Sequence, residues 1–158
     1  MKSRHFVTDS NGTSTQVAAL CWRKHRDGVE VLLITSRDTG RWVLPKGWPM
    51  AGRSAPEAAA IEAWQEAGAE GKVSDEMLGL FGYDKVLGPD IAHPCMVSVY
   101  PLRVATLSRR FPERNERRRK WFSAEKAARK VLEPELRALL LAIDAGSITL
   151  PQMPRSKD

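Results

Sequence analysis

Glu62 and Glu66 stand four residues apart with Gln65 between them, and Gly47 lies upstream in a stretch broken by glycine and proline. On a helix, residues three and four apart share a face, so these three oxygen-bearing side chains would meet on one patch. Oxygen clusters suit hard cations. Magnesium takes only one or two carboxylates from a protein, because water and substrate phosphates complete its octahedron; manganese is the alternative. By spacing alone the same patch also fits a solvated helix face with two ordinary glutamates.

The patch needs a helix with a defined start. Ser54 followed three residues later by Glu57 is a capping-box pattern, Pro56 falls in the first turn, and Gly68 stands where a helix would stop, which predicts a helix over 54–67. Its Ala59, Ala60, Ala63 and Ala67 form a small-residue stripe suited to packing on a sheet. Upstream, 16–22 and 30–37 are short β-prone runs separated by Arg26, Asp27 and Gly28, the pattern of a hairpin. A third strand over 42–44 ends at Pro45, and 46–53, with two glycines and a proline, reads as a loop. Further strands are expected over 78–83, 96–107 and 121–122. Helices are expected over 124–132 and 134–145, the second with Leu136, Leu139, Leu140 and Ile143 at one-face spacing and Gly146 as its stop. Strands on both sides of a central helix, with helices at the end, fit an α/β (α+β) sandwich.

The chain has 158 residues, 42% apolar and 28% charged, the range of one soluble domain, here 16–146. The ends, 1–15 and 147–158, are rich in Gly, Ser, Pro and charge, have little to bury and are expected to be disordered. A net charge of +6 favours an anionic partner, whether phosphorylated metabolite, nucleic acid or acidic membrane. Cys21 and Cys95 sit in apolar runs without metal-ligand spacing and read as buried thiols. Nothing approaches the roughly 18 apolar residues of a membrane span and the start is polar, so a cytoplasmic protein without a membrane partner is expected. There is no GxSxG elbow and no P-loop, which narrows the hydrolytic mechanisms open to the chain.

The stretch 47–69, with Trp42, Leu44 and Pro45 before it, resembles the Nudix box. The family pattern is Gly, five residues, Glu, seven residues, then Arg-Glu-apolar-any-Glu-Glu-any-Gly-apolar. Here it reads Gly47, Arg53, then Ile61, Glu62, Ala63, Trp64, Gln65, Glu66, Ala67, Gly68 and Ala69. The resemblance implies the Nudix fold, a mixed β-sheet sandwiched between α-helices. It also implies a hydrolase that uses Mg2+ or Mn2+ to cleave phosphoanhydride bonds. The resemblance assigns the metal to Glu62, Glu66 and the Gly47 carbonyl, with the orienting of the attacking water as the alternative task for either glutamate. Three charged positions depart from the pattern. Arg53 and Ile61 replace an ion pair that braces loop against helix; since both partners differ, no charge is stranded by the change. Gln65 replaces a metal-ligand glutamate, keeping an oxygen but losing its charge, which implies weaker metal binding and reduced activity.

Over 16–141 the layout is similar to the diphosphoinositol polyphosphate and diadenosine polyphosphate hydrolase branch. That resemblance assigns phosphate contacts to Ser36, Arg37 and Arg117, with Lys46 beside the box joining the substrate-binding set. His93, between Ala92 and Pro94, is a further candidate, reaching substrate from a loop over the site. The run 109–120, with seven basic and two acidic residues, is either a phosphate-binding rim or a solvated loop. Gln16 and Glu133 stand where that branch has basic residues, and each removes phosphate attraction. Inositol pyrophosphates, dinucleoside polyphosphates and nucleoside diphosphate derivatives therefore stand level as substrates. The competing readings are a Nudix-fold module that binds an anionic metabolite without cleaving it, and an RNA-binding protein. The chain lacks an RRM-type aromatic motif and a GXXG loop, which argues against nucleic acid.

Overall fold

The computed structural model describes residues 12–26 and 28–151. Eleven elements follow one another: β1 (Ser14–His25), β2 (Gly28–Thr35), β3 (Trp42–Val43), β4 (Lys46–Gly47), α1 (Ala55–Ala67), β5 (Ala69–Val73), β6 (Gly79–Gly88), β7 (Ile91–Leu107), β8 (Arg119–Ser123), α2 (Ala124–Lys130) and α3 (Pro134–Asp144). The strands form one mixed sheet along the path β3-β2-β1-β7-β5, with β4 on β1, β6 on β7 and β8 on β2. β1 runs parallel to β7 and every other pairing is antiparallel.

Alternation along the strands explains the layering. In β1, Ala18, Leu20 and Trp22 face one side while Val17, Ala19 and Cys21 face the other, and β2 divides Val31 and Leu33 from Leu32 and Ile34 in the same way. The first side is covered by α2 and α3 through Ala127, Ala128, Leu136 and Leu140; the second is covered by the alanines of α1. A strand buried on both faces reads as a continuous apolar run, which is what the sequence of β1 and β2 shows. The expected sandwich of helices about a mixed sheet is what the chain forms.

Helix α1 begins and ends as its sequence predicts. The Ser54 hydroxyl accepts from the Glu57 N–H, the Glu57 carboxylate accepts from the Ser54 N–H, and Gly68 closes the helix in the left-handed region at φ 68°. The buried stripe is Ala58, Ala59, Ala63 and Ala67, with Ala60 only half-buried. Helices α2 and α3 and the hairpin of β1 and β2 also agree with the sequence reading.

Four expectations need correction. The 46–53 stretch is not wholly loop: Lys46 and Gly47 pair with Ala18 and Val17 of β1 as the short strand β4. β5 has no counterpart in the sequence reading, because Glu70, Gly71 and Lys72 give it almost no apolar signal; it is an edge strand held by β7. β6 and β7 extend well beyond 78–83 and 96–107, meeting near Pro89 and Asp90. The segments expected to have little to bury are used at their inner ends, since Ser14 and Thr15 belong to β1 and Leu150 is buried in the core with α2 and α3. The expectations for 1–11 and 152–158 lie outside the described residues. Cys21 and Cys95 are buried and free, and burial alone pushes the Cys21 thiol up to about 12. Among the described residues no helix is long and apolar enough to cross a membrane.

Candidate active site

The carboxylates of α1 are not on a solvated face. Glu62 is 0% exposed and Glu66 7%, so the surface reading of their spacing fails. Helix geometry points both at β4, the element just before the helix, where the chain turns back under its own sheet. Gly47 fits closely at that point: a Cβ there would overlap the Glu62 carboxylate, so either Glu62 or β4 would have to shift. The next residue back, Lys46, donates its backbone N–H to Glu66 Oε1 at 3.2 Å. The short strand and the helix thus clasp each other through two carboxylates and two peptide units.

The two carboxyl groups lie close enough to act on each other. Burial pushes the Glu66 carboxyl up to about 8; the Arg117 guanidinium pulls against this, and the neighbouring Glu62 adds to it. Arg117 Nη2 lies 3.6 Å from Glu66 Oε2 while its Nε donates to Glu113 Oε1 at 2.8 Å and its Nη1 to the Thr35 carbonyl at 3.1 Å. Burial lowers the Lys46 ammonium and the Glu66 carboxylate opposes the shift; its Nζ lies 5.0 Å from the centre of the Tyr83 ring.

Glu66, Gly47, Lys46 and Arg117 line a cleft of about 100 Å³, and Ser36 and Arg37 line it as well. Of the candidate substrate contacts, four are therefore brought together. Ser36 sits in the tight turn after β2, donating its N–H to the Arg41 carbonyl at 2.7 Å, and Arg37 pairs with Glu116 at 2.8 Å. Gln65 is half-buried, lies off the cleft lining, and accepts the Glu113 N–H on its backbone carbonyl at 3.0 Å. His93 is corrected: it is on β7 instead of a loop, bonded through Nε2 to Ser14 Oγ at 2.6 Å, and does not line the cleft. Arg53 is exposed and Ile61 half-buried against the α1 core, so the altered pair leaves no charge inside.

Of the basic run 109–120, Arg109, Arg110 and Arg114 are exposed and lie off the cleft lining. Only Arg117 turns into the cleft. Arg118 lies over Trp42, Arg119 over Phe111 while donating to the Ala67 carbonyl, and Lys120 over Phe122. Four of the seven cations of the run are thus tied to separate partners, which argues against the continuous strip that RNA binding would need. Sequence reasoning missed Tyr83 and Lys85, which line the cleft from β6. The signal was there: Phe81, Tyr83 and Lys85 alternate on one face, but only if the strand is carried past Tyr83 through a charged pair.

Comparison with known proteins agrees with this geometry. A NUDIX domain profile matches residues 14–142. The human diphosphoinositol polyphosphate phosphohydrolase 3-alpha is 34% identical over 128 residues, covering 79% of this chain and 73% of that one. Among solved structures, the C. elegans Ap4A hydrolase superposes with TM-score 0.61 at 20% identity over 86% of this chain and 99% of that one. The E. coli dihydroneopterin triphosphate pyrophosphohydrolase does so with TM-score 0.63 at 16% identity over 84% and 95%. With a profile match across most of its length and a relative 34% identical over 128 residues, the chain belongs to the Nudix family.

Proposed function

We propose that the chain cleaves phosphoanhydride bonds in a small phosphorylated anion, using a divalent cation held by Glu62, Glu66 and the Gly47 carbonyl. The observation that carries this reading is the pair of buried, neighbouring carboxylates, one of them pressed against Gly47 so closely that an added Cβ would overlap it. Two carboxylates brought together away from water repel unless a proton or a cation lies between them. The donor set fits a hard cation. Two carboxylates and one carbonyl are few ligands, and water and substrate phosphate would complete the shell, as magnesium prefers. When bound, such an ion polarises a phosphoryl oxygen and makes water a better nucleophile.

The chain's own residues supply the remainder. Arg117, held by Glu113 and Thr35, offers a fixed guanidinium beside Glu66, where charge on a transferring phosphoryl group would develop. Lys46, half-buried against Tyr83, gives a second cation whose charge an incoming phosphate favours. Ser36 and Arg37 extend the phosphate-binding wall from the turn after β2. Diphosphoinositol polyphosphates, dinucleoside polyphosphates and nucleoside diphosphate derivatives all present the required anhydride.

Gln65 motivates the second reading, a module that binds such a metabolite without turning it over. Purified protein with magnesium or manganese and a panel of anhydrides separates the two. Phosphate release that Glu66→Gln lowers by about 100-fold or more supports the enzyme. Tight binding without release, or release indifferent to that substitution, sinks it.

A further inference from the structure

The sheet face that α2 and α3 cover is apolar along most of its length and turns polar at its open end, beside the cleft. Gln16 lies two residues before Ala18 on β1 and so shares its face, and Lys46 pairs with Ala18 from β4. Tyr83 follows Phe81 on the same face of β6, with β7 between it and β1. Three side chains from three strands thus meet at the cleft wall. The Tyr83 hydroxyl donates to Gln16 Oε1 at 2.5 Å, and the Lys46 Nζ lies 5.0 Å from the centre of the Tyr83 ring. Gln16 is buried, and burial pushes the Tyr83 phenol up, so it keeps the proton it donates. Two carboxylates act on Lys46, but each is engaged elsewhere. Glu66 faces Arg117 and accepts the backbone N–H of Lys46, while Glu133 takes Arg41 at 3.4 Å. Lys85 and Arg117 repel the ammonium from the cleft side. Among the described residues the Tyr83 ring is therefore the contact that fixes where the ammonium stands.

Resting on the phosphate role proposed for Lys46, we infer that Gln16 and Tyr83 are positioning residues: Gln16 holds the Tyr83 ring by its hydroxyl, and the ring holds the Lys46 ammonium where substrate phosphate arrives. A lysine is a point charge on a flexible stem, and ordering that stem on binding consumes much of what the charge would give. A ring already fixed beneath it supplies the order before substrate enters. Gln16 sits on a strand paired on both sides, so its amide oxygen is a stationary acceptor, and one bond to it sets the place of a side chain with few torsions of its own. Two neutral residues thereby act on phosphate through a third that is charged.

The test is binding of methylenediphosphonate, a nonhydrolysable pyrophosphate analogue, to the full chain with magnesium, read by calorimetry. Lys46→Met is expected to weaken binding by at least about tenfold, and Tyr83→Phe and Gln16→Met by about fivefold each, without either group touching the probe. The two smaller losses are expected not to add. Together they cost about what either costs alone, and in a Lys46→Met background each moves the affinity by less than about twofold. Tyr83→Phe keeps the ring, and denaturant unfolding of each variant separates lost fold from lost affinity. Losses that persist at full size without the Lys46 ammonium overturn the inference, because a purely structural role would carry over unchanged. Gln16→Lys places a cation on the lining that could reach phosphate directly; it is expected to bind the probe no tighter, since an ammonium cannot accept from Tyr83 and repels Lys46. Tighter binding there overturns the inference by making Gln16 a direct contact. Undiminished binding in Lys46→Met sinks the phosphate role of Lys46 and this inference with it, whereas undiminished binding in Tyr83→Phe alone sinks only the inference. Because nothing is turned over, absence of phosphate release in the anhydride panel would sink the hydrolase reading and leave these affinities measurable.

Discussion

The carboxylates of α1 and the basic run 109–120 are the two charged features that stand out in the chain, and the fold treats them oppositely. Glu62 and Glu66 both turn inward to the same point beneath β4. Four successive cations of the run go to four different places: Arg117 to Glu66 and Glu113, Arg118 to Trp42, Arg119 to Phe111 and Lys120 to Phe122. A helix is rigid, so a spacing of four becomes a shared direction without help from the rest of the fold. Along an extended chain neighbouring side chains point to opposite sides, and each long cation is captured by whatever ring or carbonyl lies nearest. Charge density along a sequence is therefore a weaker guide to a site than charge at a helical interval.

The sharpest way to break the α1 half of that contrast is Gly47→Ala. The added carbon would stand 2.1 Å from a buried carboxylate oxygen, so either Glu62 or β4 must shift. A displacement near 1 Å at reacting groups costs about 100-fold in kcat/KM, and that is the expected loss for Gly47→Ala with the fold retained by circular dichroism. Full activity in the variant would mean that the clasp between β4 and α1 does not set the chemistry.

Arg117→Ala comes next. Its side chain is 9% exposed and is the cation facing both Glu66 and Glu113, and deleting one member of a buried pair strands the charge of the other, at about 3 kcal/mol. Denaturant unfolding should register that loss, and kcat/KM should fall with it by at least tenfold. A stability loss with unchanged kcat/KM would make Arg117 a structural residue only. Gln65→Glu is smaller and opposite in sign. Restoring a charge one residue before Glu66 should tighten metal binding and raise the rate at limiting magnesium by about tenfold; an unchanged rate across a magnesium titration removes Gln65 from the account.

What the sequence disclosed follows the same division. Helix α1 was readable to its caps because Ser54, Glu57 and Gly68 act within a few residues of themselves. The alternation in β1 and β2 declared a doubly covered sheet because both faces are apolar. β5 was not readable, since an edge strand held by one neighbour needs little apolar content to stay in place. Nor was the burial of Glu62, which depends on β4 arriving over the helix, a contact set by β1. His93 was placed on a loop because the strand was expected to begin only at 96, whereas β7 starts at Ile91 and carries Pro94 within its long antiparallel pairing to β6. The occupation of Arg41 by Glu133 joins residues far apart in the chain, and nothing in either local stretch announces it.

The smallest expected effect is also the one that tests the contrast from its other side. Arg118 lies with its guanidinium carbon 5.5 Å from the Trp42 ring centre, is exposed, and is tied into the fold by its backbone N–H, which donates to Thr35 Oγ1 at 2.8 Å. Arg118→Ala removes an exposed cation–π contact worth about 0.5 kcal/mol and keeps the backbone bond. Stability should drop by little more than the error of a denaturant curve, and kcat/KM should stay within twofold of the unaltered chain at about 0.15 M salt, where exposed charges separated by more than a Debye length, about 8 Å, are largely screened. If Arg118→Ala instead lowered kcat/KM as far as Arg117→Ala does, the run would act collectively on the substrate. The dispersal of its cations onto separate rings would then describe only the resting protein, and helical spacing would lose its advantage over charge density as the sign of a site.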